Sequence, residues 1–169
     1  MKSKKLNIIV QLLYLLIAGV FVLLPFLFKF NLESTKSKLY VALFTFSIIL
    51  IYMALHELTH GLSISLLSKT KSTYKLRFPF LTTGTKAYLN KISFIIVCLS
   101  SSIIWGILLL IILMVIPKDF ILSIYILLGL NFAGSSGDYV QTFIASKEDG
   151  NVLINDDGNK TNIYDQIKY

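Results

Sequence analysis

The chain alternates long apolar runs with short polar ones. Leu6 to Phe28 is interrupted only by Asn7, Gln11 and Tyr14, and further runs extend over Leu39–Leu67, Ile92–Ile116 and Phe120 to about Ser146. Each meets the requirement of roughly 20 residues for a helix crossing about 30 Å of hydrocarbon. Four transmembrane helices are therefore predicted. The first follows a basic lead, Met1 to Lys5, but at about 23 residues it exceeds the roughly 7–15 of a cleaved signal core. It reads as an uncleaved span.

Between the second and third runs the period changes. Tyr74, Leu76 and Phe78 alternate with Lys75 and Arg77, which predicts a strand over Ser72–Leu81 with one apolar face. Thr82-Thr83-Gly84 is expected to turn it back toward Ala87-Tyr88-Leu89. The C-terminal segment reads similarly, with Val152-Leu153-Ile154, a turn at Asp156-Asp157-Gly158-Asn159, then Ile163-Tyr164. The expected fold is an all-α membrane protein of four transmembrane helices with a short cytoplasmic hairpin-like loop and tail. Residues 1–146 form the membrane domain and 147–169 the tail.

Composition agrees with that class. Of 169 residues 55% are hydrophobic and only 15% charged, with mean hydropathy +0.73; soluble domains carry nearer about 25% charged residues. The net charge of +7 sits mainly in two short hydrophilic segments. A nucleic-acid-binding surface needs a basic stripe on a folded face, so no nucleic-acid partner is expected. Lys2, Lys4 and Lys5, with Lys69, Lys71, Lys75, Arg77, Lys86 and Lys91, lie on one side of the predicted membrane. Lys29, Lys36, Lys38 and Lys118 lie on the other. The richer side is cytoplasmic by the positive-inside rule, giving a multi-pass protein of the cell membrane with both termini inside. Cys98 is the one cysteine, which excludes an intramolecular disulfide and a cysteine-based zinc site.

Against this apolar background, His56-Glu57-Leu58-Thr59-His60 stands out as H-E-x-x-H. Residues four apart share a helix face, so both imidazoles can reach one metal ion. The glutamate between them is placed to take a proton from water and pass it to a leaving amine. Shuffled chains of this composition would carry the pattern in about two cases in ten thousand. Zinc needs a third protein ligand. No other histidine exists, and Glu33, Asp119, Glu148, Asp149, Asp156, Asp157 and Asp165 all fall in links or tail. Asp138 alone shares the apolar environment. His60 lies nine residues before Lys69 and Asp138 nine before Lys147. At about 1.5 Å per residue, both sit roughly 13 Å below the same boundary. Gly129, Ala133, Gly134, Ser135, Ser136 and Gly137 would let the helices approach closely. Asn131, two turns before Asp138, could position a substrate backbone or oxyanion, or make an interhelical hydrogen bond.

An H-E-x-x-H in a membrane helix, with an asparagine-to-aspartate segment in a later span, resembles the site-two protease group. The wording HELTHG followed by NFAGSSGD is closer to a family of small Gram-positive membrane proteins known as putative zincin peptidases. The resemblance implies His56, His60 and Asp138 as ligands of one Zn2+, Glu57 as catalytic base, and Asn131 as the asparagine of the later motif. One departure is plain: site-two proteases carry Leu-Asp-Gly preceded by prolines, whereas this chain has Gly137-Asp138-Tyr139. The function expected is a zinc-dependent, membrane-embedded endopeptidase acting on membrane or membrane-adjacent peptides, its partners being that substrate and the lipid bilayer. The alternative is a zinc-binding membrane accessory or immunity-type protein without turnover.

Overall fold

The computed structural model describes residues 4–77, 80–148, 151–158 and 160–165. Its long elements follow the apolar runs: α1 (Lys4–Phe28), α2 (Lys38–Ser68), α3 (Lys91–Val115), α4 (Ile121–Gly134) and α5 (Ser136–Lys147). Local signals set their ends. The Ser37 side chain accepts from the Tyr40 amide at the start of α2, and Asn90 accepts from Ser93 at the start of α3. Pro117 follows the end of α3, where a proline stops a helix from continuing. Lys69, in left-handed conformation at φ 55°, ends α2.

Among the described residues, four segments are long and apolar enough to cross a membrane, with α4 and α5 together making the fourth. The fold leaves large apolar side chains facing outward on each long helix, including Phe26, Leu39, Leu66 and Met114. α3 is the central post: α2, α4 and α5 pack on it, while α1 packs on α4 and α5. One buried cluster joins Tyr52, Leu109, Ile124, Leu127 and Leu128 in the middle of the bundle. At one end, Asp119 ties two links together, accepting from the Thr35 amide at 2.6 Å and the Ser34 hydroxyl at 3.0 Å.

The opposite end carries the strands. β1 (Thr73–Arg77) pairs antiparallel with β2 (Phe80–Gly84), with Tyr74 opposite Thr83. This differs from the expected hairpin. The chain reverses between Arg77 and Phe80, so Thr82-Thr83-Gly84 is strand rather than turn; Phe78 falls outside the described residues. β-branched threonines favour the pleated strand. The expected return strand is instead the short β3 (Leu89–Asn90), which pairs with the tail. Leu89 lies opposite Ile154 of β4 (Val152–Asp156), and β4 pairs with β5 (Thr161–Asp165). The tail hairpin forms where expected, with Asn159 of its turn outside the described residues. It is docked rather than free: Val152 and Ile154 are buried in a cluster with Ile64, Leu89, Phe94, Val97, Cys98 and Ala145. Burial of each such aliphatic side chain contributes roughly 1.5–3 kcal/mol.

Candidate metal centre

The site begins as two side chains on one face of α2. His56 and His60 are one turn apart, with ring centroids 5.0 Å from each other. The partner comes from the fourth apolar segment, which breaks at Ser135, where ψ is 7°. The carbonyls at the break stay satisfied, as an apolar bundle requires: the Ser135 amide still reaches the Asn131 carbonyl at 3.3 Å, and hydroxyls add to this. Ser135 Oγ donates to the Asn131 carbonyl at 2.7 Å, and Ser136 Oγ to that of Ala133 at 2.6 Å. The break starts a new helix, and Asp138 stands in the first turn of α5. A carboxylate is favoured there by the positive end of the helix dipole.

Asp138 Oδ2 lies 3.5 Å from His60 Nε2, the juxtaposition that their equal depth anticipates. One donor atom from each of His56, His60 and Asp138 lies within 4.8 Å of the other two. Two tetrahedral zinc bonds of about 2.0–2.1 Å place their ligand atoms roughly 3.3 Å apart, so the His60–Asp138 spacing suits a shared ion. Two nitrogens and a carboxylate are also a donor set that zinc accepts, with room for a fourth ligand.

The imidazoles are held in matching orientations. His60 Nδ1 is 2.9 Å from the Val97 carbonyl, which can only accept; Nδ1 therefore carries the proton and Nε2 is free to ligate. Tyr52, one turn before His56, donates its hydroxyl to Asn131 Oδ1 at 2.7 Å. Having spent its hydrogen, that hydroxyl accepts from His56 Nδ1 at 2.9 Å. Both histidines thus direct Nε2 away from their supports, and outer partners of this type fix the tautomer and raise ligand basicity. Ser101 Oγ donates to the His56 carbonyl at 2.9 Å, fastening α3 to the same turn. Asn131 is wholly buried, and its Nδ2 donates to the Ser102 carbonyl at 2.9 Å. Of its two expected uses, the structure displays the interhelical hydrogen bond. Ser102 in turn bonds the Tyr139 hydroxyl.

Glu57 faces the strands. The Thr83 hydroxyl of β2 lies 2.8 Å from Glu57 Oε2 and 2.9 Å from the Glu57 carbonyl. With His60 and Asp138, Glu57 lines a cavity of about 270 Å³. The tail closes its far side with Asp156, Gly158 and Thr161. Burial pushes the Asp156 carboxyl above its usual range, opposed by hydrogen bonds from the Gly158 amide and the Thr161 hydroxyl.

Several contributors escaped the reading of the sequence. Tyr52 was findable, since it precedes His56 by the same four residues that separate the histidines. Ser101 lies in a run of three serines within an apolar span, a signal of close helix packing. Thr83 and Asp156 had no local signal, because only the pairing of β2 and β4 with distant segments brings them to the cavity.

No curated protein and no solved structure matches the chain significantly. A family model does match, over residues 48–152, which hold His56, Glu57, His60 and Asp138. Its description is Putative zincin peptidase, and the chain belongs to that family.

Proposed function

We propose that the chain is a zinc-dependent endopeptidase embedded in the cell membrane, cutting membrane or membrane-adjacent peptides near the cytoplasmic face. The observation that carries this reading is the meeting of His56, His60 and Asp138 within 4.8 Å, on helices from two separate apolar segments. Family membership supports a metallopeptidase. Membrane insertion is supported by the four apolar segments and their outward-facing leucines and phenylalanines, which water would penalise and lipid would not. The excess of lysine and arginine beside β1, β2 and the N-terminus supports a cytoplasmic position for both termini and for the site's open side. In this reading residues 1–146 form the membrane domain and residues 147–169 a cytoplasmic tail.

Zinc bound by the three ligands would supply the Lewis acidity that activates water near neutral pH and polarises a scissile carbonyl. The protein's own groups do the rest. Glu57 takes the proton released as water attacks and returns it to the departing peptide nitrogen. Thr83 holds the Glu57 carboxylate in place between those transfers. Tyr52 and the Val97 carbonyl keep the two imidazoles in their ligating tautomer. A peptide still in helical form has its carbonyls occupied, so the scissile segment must be locally unwound to present one.

The test uses purified full-length chain reconstituted with zinc, compared with Glu57→Gln against a library of membrane-derived peptides. The variant is expected to keep its zinc and lose cleavage. Normal cleavage by Glu57→Gln would refute the mechanism. Phenotypic function retained by Glu57→Ala but lost by His56→Ala would favour a non-catalytic zinc protein.

A further inference from the structure

The cavity beside Glu57 runs past the reaction centre to the tail, and its lining is chemically one-sided. Glu57, Asp138 and Asp156 contribute three carboxylates, and among the described lining residues there is no lysine or arginine, although the chain carries a net charge of +7. The first two have roles in the proposed chemistry. Asp156 has none there. Its Oδ1 accepts from the Gly158 amide at 2.9 Å and its Oδ2 lies 3.2 Å from the Thr161 hydroxyl, both neutral donors, and among the described residues no lysine or arginine pairs with it. Lys75 reaches the same turn but gives its ammonium to the Asp157 carbonyl at 2.7 Å.

A continuous path joins Asp156 to the reacting end. Gln141 follows Asp138 by one turn of α5 and therefore shares its face. Its Oε1 and Asp156 Oδ2 both lie 3.2 Å from the Thr161 hydroxyl, which has one hydrogen to share between them. The space along this path is small. A volume of about 270 Å³ falls below the roughly 300 Å³ of the smallest drug-type pockets. It cannot admit a helix roughly 10–12 Å across. One or two residues of an unwound peptide would fill it.

Resting on the peptidase reading above, we propose that this cavity is a specificity subsite for a basic residue, lysine or arginine, flanking the scissile bond, and that Asp156 selects it. Ile64, Leu89 and Phe94 offer an apolar wall to the methylene stem, while the carboxylate meets the cationic head. Asp156 lies beyond residue 152, where the family match ends, so family membership does not supply this role.

The experiment separates binding from turnover. Two labelled alanine-rich peptides, identical except for one central lysine or norleucine, are titrated into the zinc-loaded Glu57→Gln chain in detergent, with binding followed by anisotropy. The lysine peptide should bind at least roughly tenfold tighter, as expected for a buried charge pair. The further change Asp156→Asn, which keeps an acceptor for the Gly158 amide, should erase the difference. Asp156→Lys should shift preference toward a glutamate peptide. Equal binding of lysine and norleucine peptides, or a lysine preference that survives Asp156→Asn, overturns the proposal. Cleavage of the same peptides by the unmodified chain is scored in parallel. An Asp156-dependent lysine preference without any cleavage would sink the peptidase reading and leave the subsite standing.

Discussion

The Thr83 hydroxyl lies 2.8 Å from Glu57 Oε2, joining β2 to the glutamate of the H-E-x-x-H sequence. The two residues are 26 positions apart, and the contact depends on β2 lying against α2. If Glu57 shuttles protons, its carboxylate must hold one position, and a hydrogen bond to a charged group contributes roughly 1.5–3 kcal/mol. Thr83→Val should therefore lower kcat by about tenfold or more with little change in KM or zinc content. Thr83→Ser should restore most of the rate. Steady-state kinetics with zinc analysis on the three proteins checks this, and an unchanged kcat in Thr83→Val removes Thr83 from the site.

Gly61 sits where the hairpin meets α2. A Cβ built there would stand 2.0 Å from the Tyr74 hydroxyl and 2.9 Å from Ser72 Oγ, so a side chain at residue 61 forces Tyr74 to move. Tyr74 is the direct cross-strand partner of Thr83, and Gly61 follows Glu57 by one helical turn. Gly61→Ala should lift the hairpin, displace Thr83 and reduce turnover on the order of tenfold while zinc stays bound. Shortening the obstructing ring in a Gly61→Ala, Tyr74→Ala double variant should recover part of the loss. If the double variant is no better than the single one, the steric account fails.

The chain His56 to Tyr52 to Asn131 predicts a metal phenotype for a residue that touches no metal. Tyr52→Phe removes the acceptor that keeps the proton on His56 Nδ1. Loss of such an outer partner weakens metal binding by roughly 10–100-fold. Competition with a chelator of known zinc affinity measures this directly. Wild-type affinity in Tyr52→Phe would mean that the imidazole is oriented by other groups.

The spans were legible because each hydrophobic run is long enough to cross a membrane and is bounded by charges, and α1, α2 and α3 begin and end within about two residues of those bounds. His56, Glu57 and His60 were legible because helical spacing alone puts them on one turn. The break at Ser135 was less so. Gly134-Ser135-Ser136-Gly137 reads equally as a close-packing stripe, and its second use, freeing Asp138 into the first turn of a new helix, depends on hydroxyls capping carbonyls three and four residues back. The hairpin register was misplaced because Thr82-Thr83-Gly84 resembles a turn in isolation, whereas pairing with β1 draws it into a strand. Asp156 reads in isolation as a tail residue. Its position at the cavity follows from β4 pairing with β3 and from burial of Val152 and Ile154 beneath α3 and α5, contacts that no short window of sequence encodes.

The account stands on α2 and α5 sharing a divalent ion, and the most direct measurement is zinc stoichiometry and affinity of the purified full chain beside Asp138→Ala. The account predicts one zinc per chain in the unmodified protein and loss of tight binding in Asp138→Ala, with the helical content of both unchanged by circular dichroism. Zinc held with undiminished affinity by Asp138→Ala, or no stoichiometric zinc in the unmodified chain, would contradict it.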